Sequence, residues 1–211
     1  MKLYGYGPTR SLRAIWALQE LDVEFEFVPV NLSAGEHRRE EFLRLNPAGK
    51  LPVLVDGDMV LSESVAIVLH LAEKYREKGL LPADAAERAQ VYRWLLFAAT
   101  ELEQPLWRIV KHTALYPEEK RLPADVELAK ADFLAMATVL EKHMQGRQFV
   151  VGDRINAADL VMAYTLDWGN ETGLLGGFPE LRAYLEKMYQ RPTAAPRIAD
   201  ALASIRAGAR Q

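Results

Sequence analysis

NPAGKLPVLVDGDMVLSESVAIVLHLAEKY, residues 46–75, decides how the first third of the chain folds. Two apolar runs, LPVLV (51–55) and MVL (59–61), flank Asp56 and Gly57, a strong hairpin signal, so the pair is expected to be antiparallel. Ser64 then opens a helix with Val65, Val68, Leu69 and Ala72 on one apolar stripe, and Gly79 with Pro82 beyond it marks the stop. Toward the N-terminus, KLYGY (2–6) reads as a strand and residues 10–21 as a helix with Leu12, Ile15, Trp16 and Leu18 on one flank. FEFVPV (25–30) alternates with period two, as a strand does, and residues 37–45 read as a short helix. The order is βαβαββα.

From Ala83 onward strand signals vanish. Residues 85–115 read as one long helix with a kink at Pro105, and 125–145 as a second, antiparallel to it, ending at Gly146. INAADLVMAYTLDW (155–168) carries a strong helix start: Asn156 is the N-cap, Asp159 can bond back to the cap, and Ile155 can staple onto Leu160. Residues 178–190 and 194–205 make two further helices around RPTAAP, and KGLLPADAAE (78–87) reads as the linker. The expected division is an α/β domain over 1–78 and an all-helical domain over 85–211.

Composition narrows the function. The 211 residues are 50% hydrophobic and 26% charged, with a formal net charge of -3. No long Lys/Arg run appears, so a nucleic-acid partner is not expected. The opening MKLYGYG lacks the basic and then apolar pattern of a leader, and no apolar run approaches the roughly 18 residues of a membrane span, so the expectation is a cytoplasmic protein without a membrane partner. The chain has no cysteine and four histidines (His37, His70, His112, His143) without zinc-like spacing, so no disulfide and no metal is expected. Any thiol chemistry must use a thiol carried by another molecule.

Three places combine residue types that suit a polar ligand. In GYGPTRSLRAIWAL (5–18) the strand breaks at Gly7 and Pro8, which puts Thr9, Arg10 and Ser11 at a helix N-terminus, where N–H groups and the helix dipole favour negative charge. Thiol enzymes often place a cysteine at such a junction; here hydroxyls stand instead, and capping accounts for at least one of them. Glu63 and Ser64 lie where the hairpin passes into a helix; Ser is a preferred cap and Glu is at home near a first turn. Lys50-Leu51-Pro52 sets a proline at the start of a strand, a position that a plain edge strand also tolerates.

NPAGKLPVL, LSESVAIVLHLAEKY and the INAADL capping box, in this order, resemble the cytosolic glutathione transferases, most like the bacterial, phi-like and theta-like branches. GEHRREEFLRLNPAGKLPVL fits the phi-type pattern in residue types and spacing, and the resemblance spans essentially the whole chain. It implies a thioredoxin-like domain with a mixed sheet followed by an all-α domain, in a homodimer, with glutathione as co-substrate. By that resemblance the bond before Pro52 is cis and the Leu51 backbone pairs with the cysteinyl unit of glutathione. Lys50 meets the glycine carboxylate with His37 as helper, Ser64 binds the γ-glutamyl carboxylate, and Glu63 binds its ammonium. The family's activating hydroxyl, four residues before an arginine, falls on Thr9 relative to Arg13; Ser11 is the competitor, and Arg10 adds positive potential.

The resemblance also places a small hydrophobic electrophile near the first long helix of the second domain, with Trp107, His112 and Tyr116 as wall candidates, although a Trp and a Tyr at helical spacing are more often core or dimer contacts. The implied activity is glutathione transfer. The alternatives are glutathione-dependent reduction of a disulfide or peroxide, or a non-catalytic binding module. Intact Lys50, Glu63 and Ser64 favour an enzyme.

Overall fold

A computed structural model describes residues 1–208. The first segments fold as their periodicities direct. Strands β1 (Lys2–Gly5), β2 (Glu26–Pro29), β3 (Val53–Asp56) and β4 (Met59–Ser62) form one mixed sheet in the order β2-β1-β3-β4. β1 and β2 pair in parallel, as they must when helix α1 (Ser11–Glu20) crosses between them, while β1–β3 and β3–β4 are antiparallel. The expected hairpin is therefore present. β2 is one of the two edge strands and is mostly exposed, which accounts for its mixture of Glu, Phe and Pro.

Helix α1 packs on α3 (Ser64–Lys74), burying Leu12, Trp16 and Leu18 against a face made of Ile67, Val68, Leu71 and Ala72. That face is turned slightly from the expected stripe, since Val65 and Leu69 are only half-buried. The expected helix over 37–45 is split: a 3-10 turn covers Glu36–Arg38, Arg39 is extended (φ -73°, ψ 151°), and α2 runs Glu40–Leu45. Arg39 takes the backbone conformation of an N-cap, and Glu40 and Glu41 supply the acidic first turn that the helix dipole favours.

In the second unit, α4 (Ala85–Phe97) and α5 (Glu103–Val110) are joined by a π turn over Ala98–Leu102, and another π turn covers Lys111–Leu115. The backbone thus stays helical over the expected span, but its hydrogen bonding widens twice. Pro105 has no N–H to give to residue 101, and the wider turn just before it accommodates that loss. α6 (Pro123–Met144) begins two residues before the expected start because Pro123 suits the first helical position. It packs on α5, while α7 (Ala157–Glu171) packs on α4; α8 covers Pro179–Tyr189.

The capping box of α7 is formed as read. Asn156 accepts from the Ala158 N–H at 3.0 Å, and Asp159 accepts from the Asn156 N–H at 3.0 Å. Asp159 does more than close the box. Its fully buried carboxylate also takes the Val150 N–H and the Tyr184 hydroxyl, each at 2.8 Å, so it joins the preceding loop to α8.

The chain divides into Met1–Leu81 together with the segment from Tyr189 onward, and Pro82–Met188. The last segment thus packs with the first unit. Glu20, at the end of α1, accepts from Arg191 Nε at 3.2 Å and from the Thr193 hydroxyl, and the Tyr189 ring lies 4.9 Å from that of Trp16. The last helix, α9 (Ile198–Gly208), starts four residues later than expected, because Pro196 disfavours helical geometry at the residue before it. Among the described residues no helix is long and apolar enough to cross a membrane.

The Asp159 network ranks two substitutions. Asp159→Ala strands three donors in the interior and should cost about 3 kcal/mol or more, whereas Asn156→Ala should cost about 1–2 kcal/mol. Urea unfolding of both variants measures the difference, and equal losses would contradict the ranking.

Candidate functional site

The sheet register gathers the three ligand-suited stretches at one end. Tyr4 pairs with Val53, and Val53 with Ser62, so these residues form a row across β1, β3 and β4. Just beyond the row lie the junction 6–10 after β1, Leu51 and Pro52 before β3, and Glu63 and Ser64 after β4. The Leu51–Pro52 bond is cis, and Leu51 lies outside the strand pairing, which begins at Val53.

At the junction α1 can approach β1 closely only because residue 5 is glycine: a Cβ there would stand 2.8 Å from Phe27 and 2.9 Å from Ser11. Neither hydroxyl sits at the N-cap, which is Arg10; Ser11 is the first helical residue. The two hydroxyls instead close a ring with Tyr6. The Tyr6 N–H donates to Ser11 Oγ at 3.3 Å, the two hydroxyl oxygens are 2.8 Å apart, and the Thr9 hydroxyl donates to the Tyr6 carbonyl at 2.6 Å. Ser11 is fully buried and Thr9 half-buried.

At the second turn, Glu63 occupies the N-cap of α3 with φ +70°, a left-handed conformation uncommon outside glycine, and its side chain caps nothing and is exposed. Ser64 is therefore the first helical residue and not the cap that its type suggests. Its Oγ accepts from Arg13 Nη1 at 3.3 Å, and both residues are buried. Arg13 thus ties the start of α3 to α1. Its charge in an otherwise apolar helix pattern was the signal that could have found it.

Lys50 ends a loop organised by Asn46, whose amide donates to the Lys50 carbonyl at 2.8 Å and whose carbonyl accepts from the Ala48 N–H at 3.1 Å. Gly49 (φ +61°) brings this loop against His37: a Cβ on Gly49 would stand 3.1 Å from the His37 carbonyl oxygen. His37 Nε2 accepts from Arg38 Nε at 3.3 Å, which leaves the proton on Nδ1, and Nδ1 is buried with no hydrogen-bond partner in the protein. A buried donor in that state suits an anionic ligand group.

The remaining candidates are engaged within the helical unit. Trp107 on α5 meets Trp168 on α7 edge to face, with ring centroids 6.2 Å apart. His112 Nδ1 accepts from the Leu122 N–H at 3.2 Å, and Nε2 faces Asp125 Oδ2 at 3.3 Å, so this imidazole anchors the start of α6. Tyr116 packs its ring on His112, 5.0 Å between centroids. Arg108 binds Asp125 through two nitrogens and reaches Asp132 at 2.6 Å. The Arg108 hydrogen bond holds the Asp125 carboxyl below the usual carboxylate range. Among the described residues no group of three or more His, Asp or Glu is placed to hold a metal.

Comparison with known proteins gives the family. The pattern described as "Glutathione S-transferase, N-terminal domain" matches residues 1–73, and "Glutathione S-transferase, C-terminal domain" matches 104–192. Glutathione S-transferase F10 of Arabidopsis thaliana is 40% identical over 167 residues, 76% of this chain and 77% of that protein. Glutathione S-transferase 3 of Zea mays is 33% identical over 201 residues, 91% of this chain and 90% of that one. The glutathione transferase URE2P8 of Phanerochaete chrysosporium, solved with oxidized glutathione, superposes with a TM-score of 0.83 at 25% identity, covering 100% of this chain and 96% of that one. The chain belongs to the glutathione S-transferase family.

The Arg108 cluster carries a pH test. Because the folded Asp125 pKa is lowered, its contribution is present above the unfolded carboxylate pKa and is lost as pH falls through the folded value. Arg108→Gln should be less stable than the parent at pH 7, and the two unfolding free energies should converge as the pH falls below the ordinary Asp range. A gap that stays constant with pH would show that the ion pair is not its source.

Proposed function

We propose that the protein is a glutathione transferase that binds glutathione along the gathered end of its sheet, keeps the thiol ionised at the start of α1, and directs it at a small hydrophobic electrophile. The observation that carries this reading is the start of α3, where a left-handed Glu63 stands exposed beside a Ser64 held by buried Arg13. Capping needs neither feature. A ligand with a carboxylate and an ammonium on one carbon needs both a helix-terminal donor and a nearby carboxylate.

In this reading Ser64 and its N–H take the γ-glutamyl carboxylate and Glu63 the ammonium. The Leu51 backbone pairs with the cysteinyl unit like an added strand. Lys50 meets the glycine carboxylate, with the buried Nδ1–H of His37 beside it. Thr9 is the donor to sulfur. Ser11 is buried deeper, and Arg10 contributes positive potential. A free thiol has a pKa of about 8.5, so lowering it by two units requires about 2.7 kcal/mol; a hydrogen bond to a charged group contributes about 1.5–3 kcal/mol. The thiol proton leaves to solvent. The thiolate then forms a carbon–sulfur bond as the electrophile's leaving group departs with its electron pair, or as a strained ring opens.

Homodimeric assembly and a cytoplasmic location belong to the same proposal; solvent-facing Leu96 on α4 and Leu128 and Val139 on α6 support the first. Reduction of disulfides or peroxides would use the same bound thiolate, and a panel of aryl halide, epoxide, hydroperoxide and disulfide substrates separates the two activities. A folded protein that fails to bind immobilised glutathione would instead fit a non-catalytic module.

Glu63→Ala should raise KM for glutathione more than it lowers kcat, because the contact is remote from sulfur and shared by ground and transition states; an unchanged KM would contradict the Glu63 role. Thr9→Val should lower turnover at neutral pH by about tenfold or more, while Thr9→Ser keeps most of it. Full activity in Thr9→Val would remove Thr9 as the donor.

A further inference from the structure

The ring at the α1 junction has a direction. A hydroxyl owns one proton, and Thr9 gives its own to the Tyr6 carbonyl at 2.6 Å. The 2.8 Å contact between the two hydroxyls must then be donated by Ser11. Ser11 keeps its proton for this contact, since its bond with Tyr6 uses only a lone pair on its oxygen. The Ser11 N–H also points at Thr9 Oγ1, at 3.3 Å. Thr9 Oγ1 therefore accepts from two donors of residue 11, and both its lone pairs are engaged.

We propose that Ser11 is a positioning residue that makes Thr9 a one-way donor to the glutathione sulfur. The inference rests on the reading of Thr9 as the activating hydroxyl. With its lone pairs filled, the Thr9 oxygen has no acceptor site for an S–H proton, so it cannot stabilise the protonated thiol. What it can offer is its proton, turned from the Tyr6 carbonyl to the sulfur. Accepting the Ser11 proton polarises the Thr9 O–H and strengthens it as a donor. Both effects favour thiolate over thiol. Ser11 never touches the tripeptide: it is fully buried, with Gly5 packed on its Cβ. Two hydroxyls two residues apart thus have unequal tasks, the outer one meeting sulfur and the inner one fixing what the outer can do.

The test is a mutant cycle read by the pH dependence of kcat/KM and by direct titration of thiolate absorbance in the glutathione complex. Ser11→Ala should move the acidic limb upward by about half to one pH unit and lower kcat/KM three- to tenfold at pH 6.5. The rates should converge with the parent above both pKa values, and KM for glutathione should hold. In a Thr9→Val background, Ser11→Ala should cause no further shift, because its route to sulfur is gone; in a Thr9→Ser background the shift should return. Equal and additive shifts in the double variant would make Ser11 an independent donor and overturn the proposal. A raised KM with an unmoved pKa would reduce Ser11 to a packing residue and overturn it as well. If Thr9→Val alone leaves the pKa unmoved, it is the Thr9 reading that fails, and the relay falls with it.

Discussion

The backbone pairing of Tyr4 with Val53, and of Val53 with Ser62, is the constraint on which the rest of the site depends. It brings residues some fifty positions apart in sequence into one row, so that three turns open at the same end of the sheet. A slip of one residue in either ladder would exchange inward and outward side chains along the strand. It would also withdraw one turn from the other two. Register is held by the buried faces of Leu3, Val53 and Leu54 and by Gly5, which admits Ser11 and Phe27 to distances that no other residue allows.

The same end of the sheet receives the N-termini of α1 and α3, and neither cap residue covers its helix with a side-chain hydrogen bond. Arg13 joins the two by donating to Ser64, which leaves the Ser64 proton available to donate outward. Thr9 follows the same rule by a different route, with its oxygen supplied by Ser11 and its proton available to turn. At both places the acceptor side of a hydroxyl is filled, while the Thr9 proton rests on the Tyr6 carbonyl, from which the proposed function has it turn. That is the arrangement a negatively charged carboxylate and a thiolate require, and its strength depends on burial, which keeps water from competing.

Much of this was legible in the sequence. The Asp56-Gly57 turn, the period-two and helical runs, and the Asn156–Asp159 box announced elements that formed, since each depends on neighbours a few residues away. What escaped depended on distant partners. Nothing local to Arg13 says that its guanidinium reaches Ser64, and nothing local to Tyr6 says that it closes a ring with Thr9 and Ser11. The left-handed backbone of Glu63 is likewise imposed by the passage from β4 into α3 and not by residue type. Pro196 is a local signal that sets the start of α9, whereas the return of the final segment to Glu20 and Trp16 is tertiary information. The partners of His112 at Leu122 and Asp125, and the packing of Tyr116 on its ring, are likewise tertiary and not written in residue type.

Central to the proposed function is a hydroxyl at the start of α1 that holds a borrowed thiol as its anion. Titrating the absorbance of thiolate in the complex of the unmodified protein with glutathione measures that claim without any assumption about the electrophile. The bound thiol should ionise at least one pH unit below the roughly 8.5 of a free thiol; a bound thiol that ionises at the free value would contradict the account.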